Sequence, residues 1–143
     1  MQHWENFKKI MFKFGNSSKK RLEDIHPNLK LVMTEVIKLT PIDFGITEGM
    51  RSLERAEQLK ADGLSKVGAK SLHCQGKAVD IACYDNGKVT WELEYYEAVA
   101  GVVGEVCEIL DIKIRWGGSW VTGDFNLNRD MSFIDAVHFE IIE

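Results

Sequence analysis

The chain has 143 residues, 45% of them hydrophobic and 28% charged, with a formal net charge of −4. That length is enough for one domain with a full core, the composition is that of a globular protein, and the negative charge gives no general attraction for nucleic acid. The charge is uneven, because residues 1–30 carry seven Lys/Arg against three Asp/Glu; such a segment is either a solvated helix face or a surface suited to an anionic envelope.

Three cysteines at irregular spacing, Cys74, Cys83 and Cys107, contain no C-x-x-C pair. This predicts a reducing compartment and no disulfide framework. The opening "MQHWENFKKIMFKFG" has neither the long apolar core nor the small-residue cleavage site of a secretory signal. The most apolar long stretch, "YYEAVAGVVGEVCEILDI", is interrupted by Glu97, Glu105 and Glu108, so no stable membrane insertion is expected. The sequence thus predicts synthesis in a cytoplasm, with no export route of its own.

In chain order, residues 1–10 read as an N-terminal extension and 11–143 as a single domain. Within "MFKFGNSSKKRLEDI", Ser17 or Ser18 is expected to cap a first helix. Pro27 suits the first turn of the next, "PNLKLVMTEVIKL", with His26 at its entry and Leu29, Val32, Met33, Val36 and Ile37 at helical spacing. "DFGITEG" reads as a short strand, "SLERAEQLKADG" as a helix closed by Gly63, and "LSKVGAKS" as a loop. "KAVDIACY" reads as a strand followed by an Asp85-Asn86-Gly87 turn. Residues 92–110 form the longest predicted helix, "IKIRW" a strand, "GGSWVTGDFNLNRDMS" a long loop and "AVHFEII" a last strand. Helices early and strands late predict an α+β fold with a small, mostly antiparallel sheet packed with helices.

Asp80 is out of keeping with its strand. It shares a face with Ala78 and Ala82, whereas Val79, Ile81 and Cys83 point the other way, into the core. The small neighbours leave room above the carboxylate, and a carboxylate taken from water needs a partner: a cation, a group of N–H donors or a metal. His73 lies seven residues earlier, at an odd offset that an unbroken strand would place on the opposite face. Gly76 permits a turn that folds His73 back over Asp80. In "DAVHFEII", Val137, Phe139 and Ile141 form one face, and His138 points to the other with Glu140. Asp135, at an odd offset from His138, must leave from the loop before the strand. Two histidines and one carboxylate leave a position for water, as a catalytic zinc requires, and a further carboxylate beside that water suits a general base. Each of these residues taken singly has an ordinary structural role as the alternative.

"SLHCQGKAVD" matches the S-x-H-x-x-G-x-A-x-D signature of the zinc peptidases that include D-alanyl-D-alanine carboxypeptidases and dipeptidases and the L-alanyl-D-glutamate endolysins of tailed phages. "EGMRS" at 48–52 resembles that family's G-x-R motif, "DAVH" at 135–138 its closing acid-x-x-His, and "RWGGSW" at 115–120 the glycine-aromatic stretch before it. "FKFGNSSKKRL" resembles the start of the phage enzymes, so the similarity runs in order from residue 12 to the C-terminus. The resemblance implies a hedgehog/DD-peptidase-like zinc peptidase fold with His73, Asp80 and His138 as zinc ligands and Asp135 as general base. It implies Arg51 as the cation at the substrate carbonyl or carboxylate. Ser71 is implied to hold the His73 loop and, with Trp120, to serve substrate binding. Cys74 directly follows a ligand; in an extended chain its side chain would point away from the metal.

"DFNLNRD" also places Asp124, Asn126, Asn128 and Asp130 at alternate positions, as in the first half of a calcium-binding EF-hand loop. Arg129 stands where that loop needs glycine, and the alternative is a polar solvated loop. The expected function is a zinc-dependent endolysin cutting the L-alanyl-D-glutamate bond of the peptidoglycan stem. The family resemblance further implies a monomer that stays in the host cytoplasm until a holin gives it access to the wall. Two rivals share the fold: cleavage at D-alanyl-D-alanine, and a zinc-binding module without catalysis. A basic wall-binding module resting on residues 1–30 is a third.

Overall fold

The structure, a computed structural model, describes residues 11–65, 68, 71–119, 124–127 and 134–143. The predicted extension at 1–10 lies outside the described residues, as do Trp120, Asn128 and Asp130. In order the elements are α1 (Asn16–Leu22), α2 (Pro27–Leu39), β1 (Phe44–Glu48), α3 (Leu53–Ala61), a 3₁₀ turn (Leu72–Gln75), β2 (Ala78–Asp85), β3 (Lys88–Thr90), α4 (Leu93–Leu110), β4 (Ile114–Trp116), a second 3₁₀ turn (Gly117–Ser119) and β5 (His138–Ile141). The sheet order is β1-β2-β5-β4, with β3 paired to the far end of β2. Every pairing is antiparallel, so the α+β expectation holds.

Patterning accounts for the core. The apolar stripe of α2 is buried at Leu29, Val32, Met33, Val36 and Ile37, and α4 contributes Tyr96, Val99, Ala100, Val103 and Val106. The two helices pack on each other, α2 against β5 and α4 against β4. Val79, Ile81, Cys83, Phe139 and Ile141 meet them from the inner sheet face. Trp116 lies stacked on Phe139 at 6.3 Å between ring centroids, and its Nε1 donates to the Ala136 carbonyl at 2.8 Å. That bond pins the short segment leading into β5.

Local signals placed most ends correctly. Pro27 opens α2, and the His26 ring accepts from the Asn28 N–H at 3.1 Å. Ser52 caps α3, and Gly63 lies beyond it at φ +75°. Asn86 and Gly87, both at positive φ, close the β2–β3 hairpin.

The predicted serine cap does not form. α1 starts from Gly15 without a side-chain cap. Ser18 instead lies inside the helix, buried, and its Oγ accepts from the Ile46 N–H at 3.0 Å. β1 is the edge strand of the sheet, so the outward N–H of Ile46 has no strand partner, and a buried N–H left without an acceptor is expensive; the hydroxyl serves it. "AVHFEII" also begins its strand later than expected, at His138, because 136–137 form a turn.

These roles separate two neighbouring serines. Ser18→Ala is expected to lower stability by about 1–3 kcal/mol by orphaning the Ile46 N–H. Ser17→Ala, at an exposed position, is expected to stay within about 0.5 kcal/mol of the parent. Chemical denaturation of both variants checks this, and equal losses would contradict it.

Candidate metal centre

Asp80 and His138 are direct cross-strand partners in the β2–β5 pair. Side chains opposite each other in an antiparallel pair share a face, so the register alone brings carboxylate and imidazole together. His138 Nδ1 lies 3.2 Å from Asp80 Oδ1, and His138 Nε2 lies 2.9 Å from Glu140 Oε1.

His73 arrives from the 3₁₀ turn. Ser71 caps that turn, its Oγ accepting from the His73 N–H at 3.2 Å. Gly76 ends it at φ +68°, and a Cβ there would come within 2.9 Å of the Asp24 carbonyl oxygen. Both the backbone conformation and the lack of space call for glycine. The imidazole is buried, with Nδ1 3.1 Å from the Gly49 carbonyl oxygen and Nε2 3.3 Å from Asp80 Oδ1. A carbonyl only accepts, so Nδ1 carries a proton, and Nε2 is the ring nitrogen aimed at Asp80.

His73, Asp80 and His138 each offer a donor atom, all within 4.8 Å of one another, and they form the one such group among the described residues. A tetrahedral zinc with bonds of about 2.0–2.1 Å sets neighbouring donors about 3.3 Å apart. The Asp80 oxygen stands 3.3 Å from one histidine nitrogen and 3.2 Å from the other. Each ring also has an acceptor on its far nitrogen, the Gly49 carbonyl for His73 and the Glu140 carboxylate for His138. Such partners fix ring orientation and tautomer in metal sites. The donor set, its spacing and its supports fit a divalent metal.

The electrostatics follow from this crowding. Burial alone would raise the Asp80 carboxyl, but hydrogen bonds from His138 and His73 outweigh it and hold it far below the usual range. Burial alone would lower His138, but its bonds to Asp80 and Glu140 push it up to about 9. Asp135 leaves the chain just before β5, its N–H donating to the Gly117 carbonyl at 2.8 Å and its carbonyl accepting from the His138 N–H at 3.0 Å. Its carboxyl stands outside the donor group and is raised, first by burial and then by the charge of Asp80. A raised carboxyl beside two histidines and a carboxylate suits proton transfer.

Arg51 is buried and tightly held. Its Nε donates to Glu48 Oε1 at 2.7 Å, its Nη1 reaches Ser71 Oγ at 3.4 Å, and its backbone N–H donates to the His73 carbonyl at 2.9 Å. The hydrogen bond to Glu48 raises its pKa further. Ser71 is thus engaged with His73 and Arg51, underneath the site.

Cys74 sits in a 3₁₀ turn, so the expected extended geometry is wrong. Its sulfur nonetheless turns away, to 4.0 Å from the carbonyl oxygens of Ser52 and Gly68, and it is not in the donor group. In the 124–130 loop, Asp124 Oδ1 accepts from the Asn126 N–H at 3.1 Å, and Glu97 on α4 holds the Leu127 N–H at 2.9 Å. Nothing among the described residues supports calcium there.

Sequence reasoning gave no role to two acidic residues. Glu140 is two residues beyond His138 on the same strand face, and that spacing was the available signal for it. Glu48 lies immediately before the G-x-R motif and grips Arg51 three residues on. Its role depends on the irregular register of β1 and had no sequence signal of comparable strength.

Comparison with known proteins agrees with this geometry. A family model described as phage L-alanyl-D-glutamate peptidase matches residues 10–142. The L-alanyl-D-glutamate peptidase of Escherichia phage T5 is 36% identical over 137 residues, covering 93% of this chain and all of that protein. The peptidoglycan L-alanyl-D-glutamate endopeptidase CwlK of Bacillus subtilis (strain 168) is 32% identical over 135 residues, covering 83% of this chain and 74% of that protein. Among solved structures, the Serratia marcescens L-Ala D-Glu endopeptidase ChiX superposes with a TM-score of 0.78 at 27% identity, covering 95% of each chain.

The charge cluster gives metal-free protein a defined pH response. His138 is raised from 6.5 to about 9 on folding, so its contribution is complete below about pH 6.5 and fades as pH rises through 9. In chelator, the stability lost between pH 6 and pH 10 is expected to be about 1–3 kcal/mol larger in the parent than in His138→Gln. Thermal unfolding of both at the two pH values checks this; parallel losses would remove the His138–Asp80 pair as the source.

Proposed function

The chain belongs to the phage L-alanyl-D-glutamate peptidase family, and on that premise we propose that it is a zinc-dependent peptidoglycan endopeptidase. In this reading it hydrolyses the amide between L-alanine and D-glutamate in the peptide stem and serves host-cell lysis. The observation that carries the proposal is the convergence of His73 Nε2 and His138 Nδ1 on Asp80 Oδ1, with Arg51 and Asp135 beside them. A purely structural metal site needs neither of the last two.

His73 Nε2, Asp80 Oδ1 and His138 Nδ1 would hold the metal, and their three donors leave a coordination position for water or substrate. A bound zinc ion supplies Lewis acidity, polarising the scissile carbonyl and making water a nucleophile near neutral pH. Asp135 accepts the proton of the attacking water and delivers it to the leaving amide nitrogen. Its raised pKa makes it a stronger base toward that water than an ordinary aspartate would be. Arg51, held by Glu48 and Ser71, stabilises negative charge as it develops on the carbonyl oxygen. Gly49 and Glu140 keep the two rings aligned so that little reorganisation accompanies the reaction.

We infer also that the enzyme works as a monomer, is made in the host cytoplasm and reaches the wall with the help of a holin. No helix among the described residues is long and apolar enough to cross a membrane.

Digestion of purified peptidoglycan followed by mass analysis is expected to release peptides with a new D-glutamate amino terminus. Chelation should abolish this, and added zinc should restore it. Release of free D-alanine instead would assign the chain to D-alanyl-D-alanine cleavage. Asp135→Asn is expected to retain zinc by elemental analysis while its kcat falls by about 10²–10⁴; loss of the metal would make Asp135 a ligand rather than a base.

A further inference from the structure

Beside the metal centre lies a depression of about 480 Å³ lined by Arg21, Thr47, Glu48, Gly49, Met50, Arg51, Ser52 and Arg55. It borders the centre directly: the Gly49 carbonyl holds the His73 ring, and Glu48 is the cross-strand partner of Asp80. Three of its residues are arginines and one is a glutamate, so it carries surplus positive charge in a protein whose net charge is −4. Arg51 is buried and committed to Glu48 and Ser71. Arg55, in the first turn of α3, touches the same Glu48 oxygen at 3.5 Å while its side chain is 62% exposed. One carboxylate therefore holds two guanidinium groups at the depression, Arg51 buried against Ser71 and Arg55 exposed.

We propose that Arg55 is a specificity residue that binds the free carboxylate of the D-glutamate on the leaving side of the scissile bond. The inference rests on the peptidase reading above. In an L-alanyl-D-glutamate bond the leaving nitrogen belongs to glutamate. Whichever of its carboxyl groups continues the stem, the other is an anion within a few bonds of that nitrogen. A substrate seated with its carbonyl toward Arg51 brings this anion to a surface whose exposed cation is already oriented by Glu48. An arginine presents a planar pair of donors to a carboxylate, whereas a neutral carboxamide in the same place offers no charge to attract.

The test uses two stem peptides that differ only in whether that group of D-glutamate is a carboxylate or a carboxamide. The parent enzyme is expected to cut the acid with a kcat/KM about tenfold higher, mainly through KM, as suits one charge-assisted contact at a partly exposed site. In Arg55→Gln the ratio should collapse to nearly one, and Arg55→Lys should keep part of it. Lys60→Gln, an exposed charge on the same helix, should keep the full ratio. An Arg55→Gln variant that loses activity equally on both peptides, or a parent without preference, overturns the subsite. Failure of the parent to cut either peptide at this bond overturns the peptidase reading, and the subsite falls with it.

Discussion

One oxygen of Asp80 lies between two imidazole nitrogens, at 3.2 and 3.3 Å, and much of the fold serves to keep it there. The carboxylate is carried by β2, the strand to which β1, β3 and β5 all pair. One histidine is delivered by register, opposite Asp80 on β5, and the other by a tight turn that Gly76 closes. Concentrating negative charge at a half-buried point of a sheet is unfavourable unless cations or a metal answer it. With two histidines aimed at it, the cluster is a site that gains from binding a divalent cation, and its neighbours are arranged to receive one.

The supports explain why this cluster can be rigid without being closed. His73 is anchored by a backbone carbonyl and His138 by a carboxylate, so neither ring depends on the metal for its orientation. Beneath them, Trp116 and Phe139 fix β4 and β5 through stacking and the Trp116–Ala136 bond. That same segment positions Asp135, whose main chain is tied to Gly117 and His138. His138 and Asp135 thus hang from one short, doubly anchored stretch, and the spacing of their main chain is set by backbone bonds.

What the sequence made legible follows from which forces are local. The alternation in "KAVDIACY" and "AVHFEII" revealed Asp80 and His138 because a strand face repeats every second residue. Gly76 signalled the turn that rescues the odd offset of His73. The helix α2 was legible to the residue because proline, stripe and entry histidine agree. Other features depend on contacts distant in the chain. Ser18 was misread as a cap because its real partner, the Ile46 N–H, lies 28 residues away on the edge strand β1. Cys74 was judged from an extended chain, whereas the turn that brings His73 inward is 3₁₀.

The register shift in β1 has a chemical consequence at Glu48. The shift between Ile46 and Glu48 leaves Glu48 opposite Asp80, so two carboxylates share one face beside the histidine cluster. Left alone they would repel and weaken the metal site. Arg51 prevents this, buried at 2.7 Å from Glu48 and within the field of Asp80. The net effect on Glu48 is a lowered pKa: burial would raise it, and the bond to Arg51 reverses the sign. Glu48 therefore stays ionised, and its pairing with Arg51 offsets the negative charge it sets beside Asp80.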